Sequence, residues 1–305
     1  MGLKINVPAD ATPMFFIKLL LTDQFLDELV MKTNEYATKL IDSSRPLRRR
    51  SVWHSWKDVT TDEMKKFIGL IYSMGFVSLP SYKTYWSTNV LYKNEHFPSV
   101  MTRERFESML HCFNFGEKEK LRKIRMILDH FNETMLELVT PGQHLSIDES
   151  MILWRGRLLF RQYIKNKRHK YGIKFYELCT HDGLVMSAEI YCGQGKNYKN
   201  NLGQTAATVL KLMKPYLEKG YHVFTDNYYN SVALTKFLTS KKTYVTETLR
   251  KDRKGNPKKV ISSKLKKGQM IWKSKGDVSV TNWKDKRNGL MISNGHVPRM
   301  ITCKN

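Results

Sequence analysis

The sequence has little cysteine, no long apolar run and, in its second half, few acidic residues. Its four cysteines, Cys112, Cys179, Cys192 and Cys303, form no close-spaced pair. That excludes a disulfide-built scaffold and a Cys-x-x-Cys zinc site, and it fits a reducing compartment, the cytosol or nucleus. No apolar stretch approaches the ~18 residues of a membrane span. The best one, Met14-Phe15-Phe16-Ile17, stops at Lys18. The start shows no basic stretch followed by an apolar one, so no secretory signal is expected. Abundant instead are hydrophobic and aromatic side chains, 41% and 11% of 305 residues, too many for a disordered chain. The length is about two domains' worth.

The 52 Lys and Arg against 28 Asp and Glu give a net charge of +24. Residues 1–150 hold 20 basic and 19 acidic side chains, whereas residues 151–305 hold 32 and 9. A field that concentrated attracts a polyanion. Nucleic acid is the first expectation, because neutralising phosphates releases counterions.

Residues 1–140 read as a helical region. Thr60 caps a helix with Glu63 three residues on, and Met64, Phe67, Ile68 and Ile71 follow the helical period. Phe106, Met109, Leu110 and Phe113 mark a second helix. Ile124, Ile127, Leu128, Phe131, Met135 and Leu138 mark a third, ended by Pro141-Gly142. Residues 76–100 read as a loop packed by Tyr82, Tyr85 and Trp86. From residue 141 the pattern changes to strands. They are expected at 144–154, 158–164, 172–179, 185–191, 221–225 and 243–248, with helices at 204–217 and 231–238. That order, through residue 249, suggests a mixed sheet flanked by helices. Residues 250–287 hold 14 basic and three acidic side chains and turn-forming Gly255, Pro257 and Gly268. They read as an insertion or linker, with the end of the core following to residue 305.

Asp148 sits inside an apolar strand, and Asp226 ends the buried run Val223-Phe224-Thr225. A carboxylate so placed is costly without a partner. If the two strands are neighbours, both can meet one hard cation, Mg²⁺ or Mn²⁺, and paired metals move phosphoryl groups. The bland alternative is a turn cap or an ion pair at each Asp. Glu149 points to the opposite side of its strand and is a poor partner for the same ion. Lys165, Lys167, Arg168, Lys170 and Lys174, interleaved with Tyr163 and Tyr171, suit a groove that tracks a DNA backbone; a lysine-guarded strand edge is the alternative. His144, His169, His181 and His222 have no metal-ligand spacing. Asp285, among lysines, reads as a charge-balanced turn.

Four ordered blocks carry a family resemblance. Thr140-Pro141-Gly142-Gln143-His144-Leu145-Ser146-Ile147-Asp148-Glu149-Ser150-Met151 resembles the first catalytic block of piggyBac-type transposases. Phe160 to Lys167 with Lys170 to Lys174, Thr225-Asp226-Asn227-Tyr228-Tyr229-Asn230-Ser231, and Trp283-Lys284-Asp285-Lys286-Arg287 resemble the blocks that follow. The resemblance covers roughly residues 10–298. It implies an α/β fold, with an RNase H-like mixed sheet flanked by helices behind a mainly helical N-terminal region, and an inserted β-rich segment. It makes Asp148 and Asp226 the first two metal-binding carboxylates of a DDE-type site that cuts and rejoins DNA. The family's third catalytic Asp lies in a Gly-Val-Asp block that this sequence does not contain, and neither is the family's cysteine-rich zinc domain present. Asn230 stands where the family usually has Thr, and Glu247 where a Gly is frequent. The resemblance thus implies a transposase-derived DNA-binding protein with an incomplete site and a weakened Mg²⁺ or Mn²⁺ affinity. The alternatives are an active transposase completed by another carboxylate and a non-functional pseudogene product. DNA is the expected partner, a homodimer the candidate assembly, and the nucleus the expected location, with Arg45-Pro46-Leu47-Arg48-Arg49-Arg50 as a short basic run.

Overall fold

The computed structural model describes residues 2–116, 120–154, 156–165, 167–193 and 202–300; Cys303 and Asn166 lie outside these. The chain forms two compact units, residues 7–131 and residues 132–305 with the first six residues.

The first unit is helical: α1 (Pro13–Leu20), α2 (Asp23–Ser43), α3 (Thr61–Phe76), α4 (His96–Val100), α5 (Arg103–Cys112) and the start of α6 (Arg125–Leu138). Side-chain caps start three of these helices. The hydroxyls of Thr22, Thr60 and Thr102 accept from the N–H of Phe25, Glu63 and Arg105, which satisfies donors that helices leave open. Phe25, Leu29, Met64, Phe67, Leu70, Phe97, Phe106 and Met109 form the core. Leu70 takes the inward place expected of Ile71, which is 43% exposed. Residues 76–100 are only partly irregular, with a 3₁₀ turn at Tyr82–Trp86 before α4. Tyr85 anchors them, its hydroxyl donating to the carbonyls of Met74 and Val77.

The second unit opens on β1 (Gly2–Leu3), antiparallel to β2 (Val139–Thr140). Then come β3 (His144–Leu153), β4 (Gln162–Tyr163), β5 (Tyr171–Thr180), β6 (Val185–Ile190), α7 (Gln204–Met213), β7 (His222–Thr225), α8 (Val232–Ser240), β8 (Tyr244–Thr248), α9 (Lys258–Ile261), β9 (Met270–Lys275), β10 (Val278–Lys284) and β11 (Asn288–Ser293). The central strands run β6-β5-β3-β7-β8. β6, β5 and β3 pair antiparallel, and β3, β7 and β8 pair parallel. This is the order and direction of an RNase H-like sheet, as expected. The parallel pairs need crossovers, supplied by α7 and α8.

Two expectations change. The apolar run at 158–164 is mostly a turn, closed by the Arg161 N–H on the Leu158 carbonyl at 3.2 Å. Only Phe160 is buried there, while Leu159 is 94% exposed. Residues 250–287 are no linker. β9, β10 and β11 extend the same sheet, β11 pairing antiparallel with β8, over a small core of Leu249, Val260, Val278, Val280, Leu290 and Ile292. Lysines masked a sparse strand alternation.

Gly172 is held by close approach. A Cβ there would lie 2.0 Å from the Ile152 carbonyl oxygen, a backbone atom that cannot step aside. Gly172→Ala is therefore expected to destabilise the sheet by about 1–3 kcal/mol, the usual cost of overpacking. Urea titration followed by circular dichroism measures it; an unchanged midpoint refutes it.

Candidate functional site

β3 alternates. Leu145 and Ile147 enter the core at 1% exposure each, so Ser146 and Asp148 face the other way. β7 lies beside it with Ile147 opposite Thr225. One residue on, Asp148 lies in the middle of β3 and Asp226 directly follows the end of β7, which sets their backbones about one strand spacing (~5 Å) apart. Both are exposed. Each accepts a backbone N–H at Oδ1, Asp148 from Glu149 at 2.8 Å and Asp226 from Asn227. Two adjacent carboxylates of this kind offer the hard oxygen donors that Mg²⁺ or Mn²⁺ requires.

The same place is clasped on the far side of the sheet. Glu149 points away from Asp148, and its Oε2 accepts from the Tyr229 hydroxyl at 3.1 Å. Tyr229 is 1% exposed, and its N–H bonds the Asp226 carbonyl at 3.1 Å. Burial, then Glu149, pushes the phenol pKa far up, so the ring stays a neutral donor. Glu149 thus belongs to the scaffold that sets the spacing of the two aspartates.

The five basic residues divide. Lys165, Arg168 and Lys170 are exposed in the loop joining β4 to β5, which the Ile164 N–H closes on the Lys170 carbonyl at 2.8 Å. Lys167 turns back to β3, donating to the Glu149 carbonyl at 2.8 Å, with its Nζ 3.6 Å from Glu149 Oε1. The loop is therefore anchored one residue from Asp148. Lys174 lies over the rings of Tyr176 (4.6 Å) and Tyr228 (5.0 Å); burial is the main cause that lowers its pKa. Tyr163 and Tyr171 pair at 4.7 Å.

Three contributors, Arg250, Arg253 and Glu177, escaped the sequence reading, and Glu247 stood out there only as a departure from the family pattern. Arg250 Nε donates to Asn227 Oδ1 at 2.9 Å, and Arg253 donates to the Tyr228 carbonyl, so both border the Asp226 turn. Their signal was hidden in a long basic stretch. Glu177 stands opposite Asp148 and accepts from Ser150 Oγ at 2.7 Å. Glu247, in β8 two residues past the Val223–Val245 pair, is 4% exposed, with no hydrogen-bond partner for Oε2 among the described residues. Burial pushes its carboxyl up to about 8, the Thr225 hydroxyl opposes the rise and Asp226 adds to it.

Among the described residues no group of three His, Cys, Asp or Glu converges closely enough to hold a metal ion. Asp285 lies 3.8 Å from Lys267. The histidines are less scattered than their spacing suggested. The parallel register sets His144 opposite His222, with ring centroids 5.8 Å apart, and His296 is 5.5 Å from His222. Burial, then His296 and His144, pushes His222 down to about 4, so it is neutral at physiological pH.

A family model described as Transposase IS4 matches residues 12–304. Human PiggyBac transposable element-derived protein 3 is 29% identical over 251 residues, covering 79% of this chain and 40% of that protein. Human PiggyBac transposable element-derived protein 5 is 24% identical over 315 residues, covering 96% and 59%. A solved structure, the cryo-EM piggyBac transposase synaptic complex with hairpin DNA, superposes with a TM-score of 0.77 at 25% identity, covering 99% of this chain and 64% of that one. The chain spans about half the length of these two curated relatives. No described helix is long and apolar enough to cross a membrane. With its RNase H-like sheet and four matching blocks, the chain belongs to the piggyBac-type Transposase IS4 family.

Proposed function

We propose that this polypeptide binds DNA across the Asp148–Asp226 pair and, in its 305-residue form, does not excise or integrate it. One observation carries the reading: the acidic pair stands beside a basic loop anchored at Glu149, with Arg250 and Arg253 bordering the Asp226 turn. Carboxylates alone repel phosphate. Carboxylates ringed by Lys and Arg can receive a phosphate together with a cation. A divalent ion, when bound, supplies charge neutralisation and Lewis acidity toward a phosphate oxygen. Lys165, Arg168 and Lys170 hold the DNA backbone, and the Tyr229–Glu149 bond keeps the aspartates spaced.

The nearby carboxylates are engaged elsewhere. Glu177 is bonded to Ser150, and Glu247 is buried and held protonated. Two ligands leave most of an ion's shell to water, so Mn²⁺ should bind in the high micromolar range or weaker, and a second ion should be poorly placed. Calorimetry is expected to show that weak binding in the native chain and its loss in Asp226→Asn; equal binding by both refutes the site. Cleavage of DNA bearing terminal inverted repeats in Mn²⁺ is expected to be absent. Cutting by the native chain but not by Asp148→Ala would establish the alternative, an active transposase.

A further inference from the structure

We propose that the outer face of β9–β11 is a stacking platform for single-stranded DNA, with Trp272 and Trp283 as its base contacts. This rests on the DNA-binding reading above but concerns a different surface. Trp272 is 49% exposed and Trp283 44%. The register explains why both face outward. Trp272 lies opposite Thr281, and Thr281 opposite Met291; Met270 lies opposite Trp283, and Trp283 opposite Gly289. These form adjacent rows on one face, while Val280 and Ile292 turn to the core. The two indoles are thus a diagonal pair on neighbouring strands, about 7–8 Å apart by backbone position. Among the described residues neither has an aromatic partner, and neither indole N–H donates a hydrogen bond.

Charge selects the occupant. Lys266 and Lys267 precede β9, Lys284 ends β10, and Lys286 and Arg287 lie in the β10–β11 turn after Trp283; Asp285 is the acidic residue there, 3.8 Å from Lys267. A cavity of about 300 Å³ continues the same face, lined by Met270, Thr281, Met291, Ser293 and Arg299. Exposed indoles rimmed by cations suit a polyanion that carries flat apolar rings. Duplex DNA offers its phosphates but hides its base faces, whereas an unpaired strand offers both. The diagonal spacing is about twice the ~3.4 Å repeat of stacked bases, so a flexible strand can lay one base on each indole.

The test uses the full chain, with fluorescence anisotropy on labelled oligo(dT) and on a duplex of equal length. Trp272→Ala and Trp283→Ala are each expected to weaken oligo(dT) binding about tenfold, to leave duplex affinity within about twofold, and to be rescued by Trp→Phe. No loss on oligo(dT), or equal loss on both DNAs, overturns the platform. Native chain that binds duplex but not oligo(dT) also overturns it and leaves the proposed function standing; the reverse pattern sinks the proposed function alone, and binding to neither DNA sinks both. Photocross-linking of the native chain to 5-iododeoxyuridine oligomers bypasses any folding defect of the variants. Adducts on Trp272 or Trp283 support the platform, and adducts confined to other residues overturn it.

Discussion

Raising salt from 50 to 200 mM is expected to cost this protein on the order of 10³ in DNA affinity. The cause is counterion release, since every phosphate neutralised by Lys or Arg frees a condensed ion, and log affinity falls with log salt at about 0.9 per contact. Lys165, Arg168 and Lys170 are exposed on one loop next to Asp148. Changing all three to Glu should lower the slope by about 3 and weaken binding alike on unrelated sequences, because phosphate contacts carry no base information. Lys167 is left out, since its Nζ holds the Glu149 carbonyl at 2.8 Å; its loss would disturb the aspartate pair as well as the charge. Filter binding over a salt series decides the matter. A flat salt response, or an unchanged slope in the triple variant with Tm preserved, removes the loop from the interface.

Glu247→Gln is expected to make the protein more stable at alkaline pH. Burial lifts the Glu247 carboxyl from 4.5 to about 8 in the folded chain. Below pH 4.5 the folded and unfolded states are both protonated, and Glu247 imposes no penalty. Between 4.5 and 8 only the folded state keeps the proton, so stability falls as pH rises; above 8 both states are ionised and the loss is complete. At 1.36 kcal/mol per pH unit the full penalty is about 5 kcal/mol, an upper figure because local opening relieves it. Gln keeps the shape and cannot ionise. Melting curves in EDTA should show the variant higher by about 10 °C at pH 9 and level with the native chain near pH 4.5. Equal pH profiles for the two proteins would mean that Glu247 is solvated in solution.

Much of the fold was legible because it rests on local chemistry. The threonine caps and the 3.6-residue period set α3, α5 and α6 with little need of tertiary information. The apolar Leu145 and Ile147 likewise marked β3, but not the outward direction of Asp148, which read as a carboxylate costly to place in such a strand and is exposed. Pairing between distant strands was not legible. The meeting of His144 with His222, of Asp148 with Glu177 and of β8 with β11 depends on register, which sequence spacing does not encode. Residues 270–293 showed no strand pattern of their own, because strands bearing Lys273, Lys275 and Lys284 look like solvent-exposed linker; only the family resemblance implied a β-rich segment there. Their core needs only Val278, Val280, Leu290 and Ile292, joined by Leu249 and Val260 from outside the strands. Glu149 was set aside as an ion ligand, correctly for its direction. The Tyr229 bond that gives it a role joins residues 80 positions apart.

The pairing of β8 with β11 also sets an order of events during synthesis. β8 ends at Thr248, but its partner Asn288–Ser293 follows some 40 residues later. At roughly 5–20 residues per second, the ribosome leaves the edge of β8 unpaired for about 2–8 s. An open strand edge on a nearly finished sheet is a template for intermolecular pairing. Nascent chains in which β8 has emerged from the ribosome and β11 has not should therefore be the ones that chaperones hold, and release should coincide with emergence of β11.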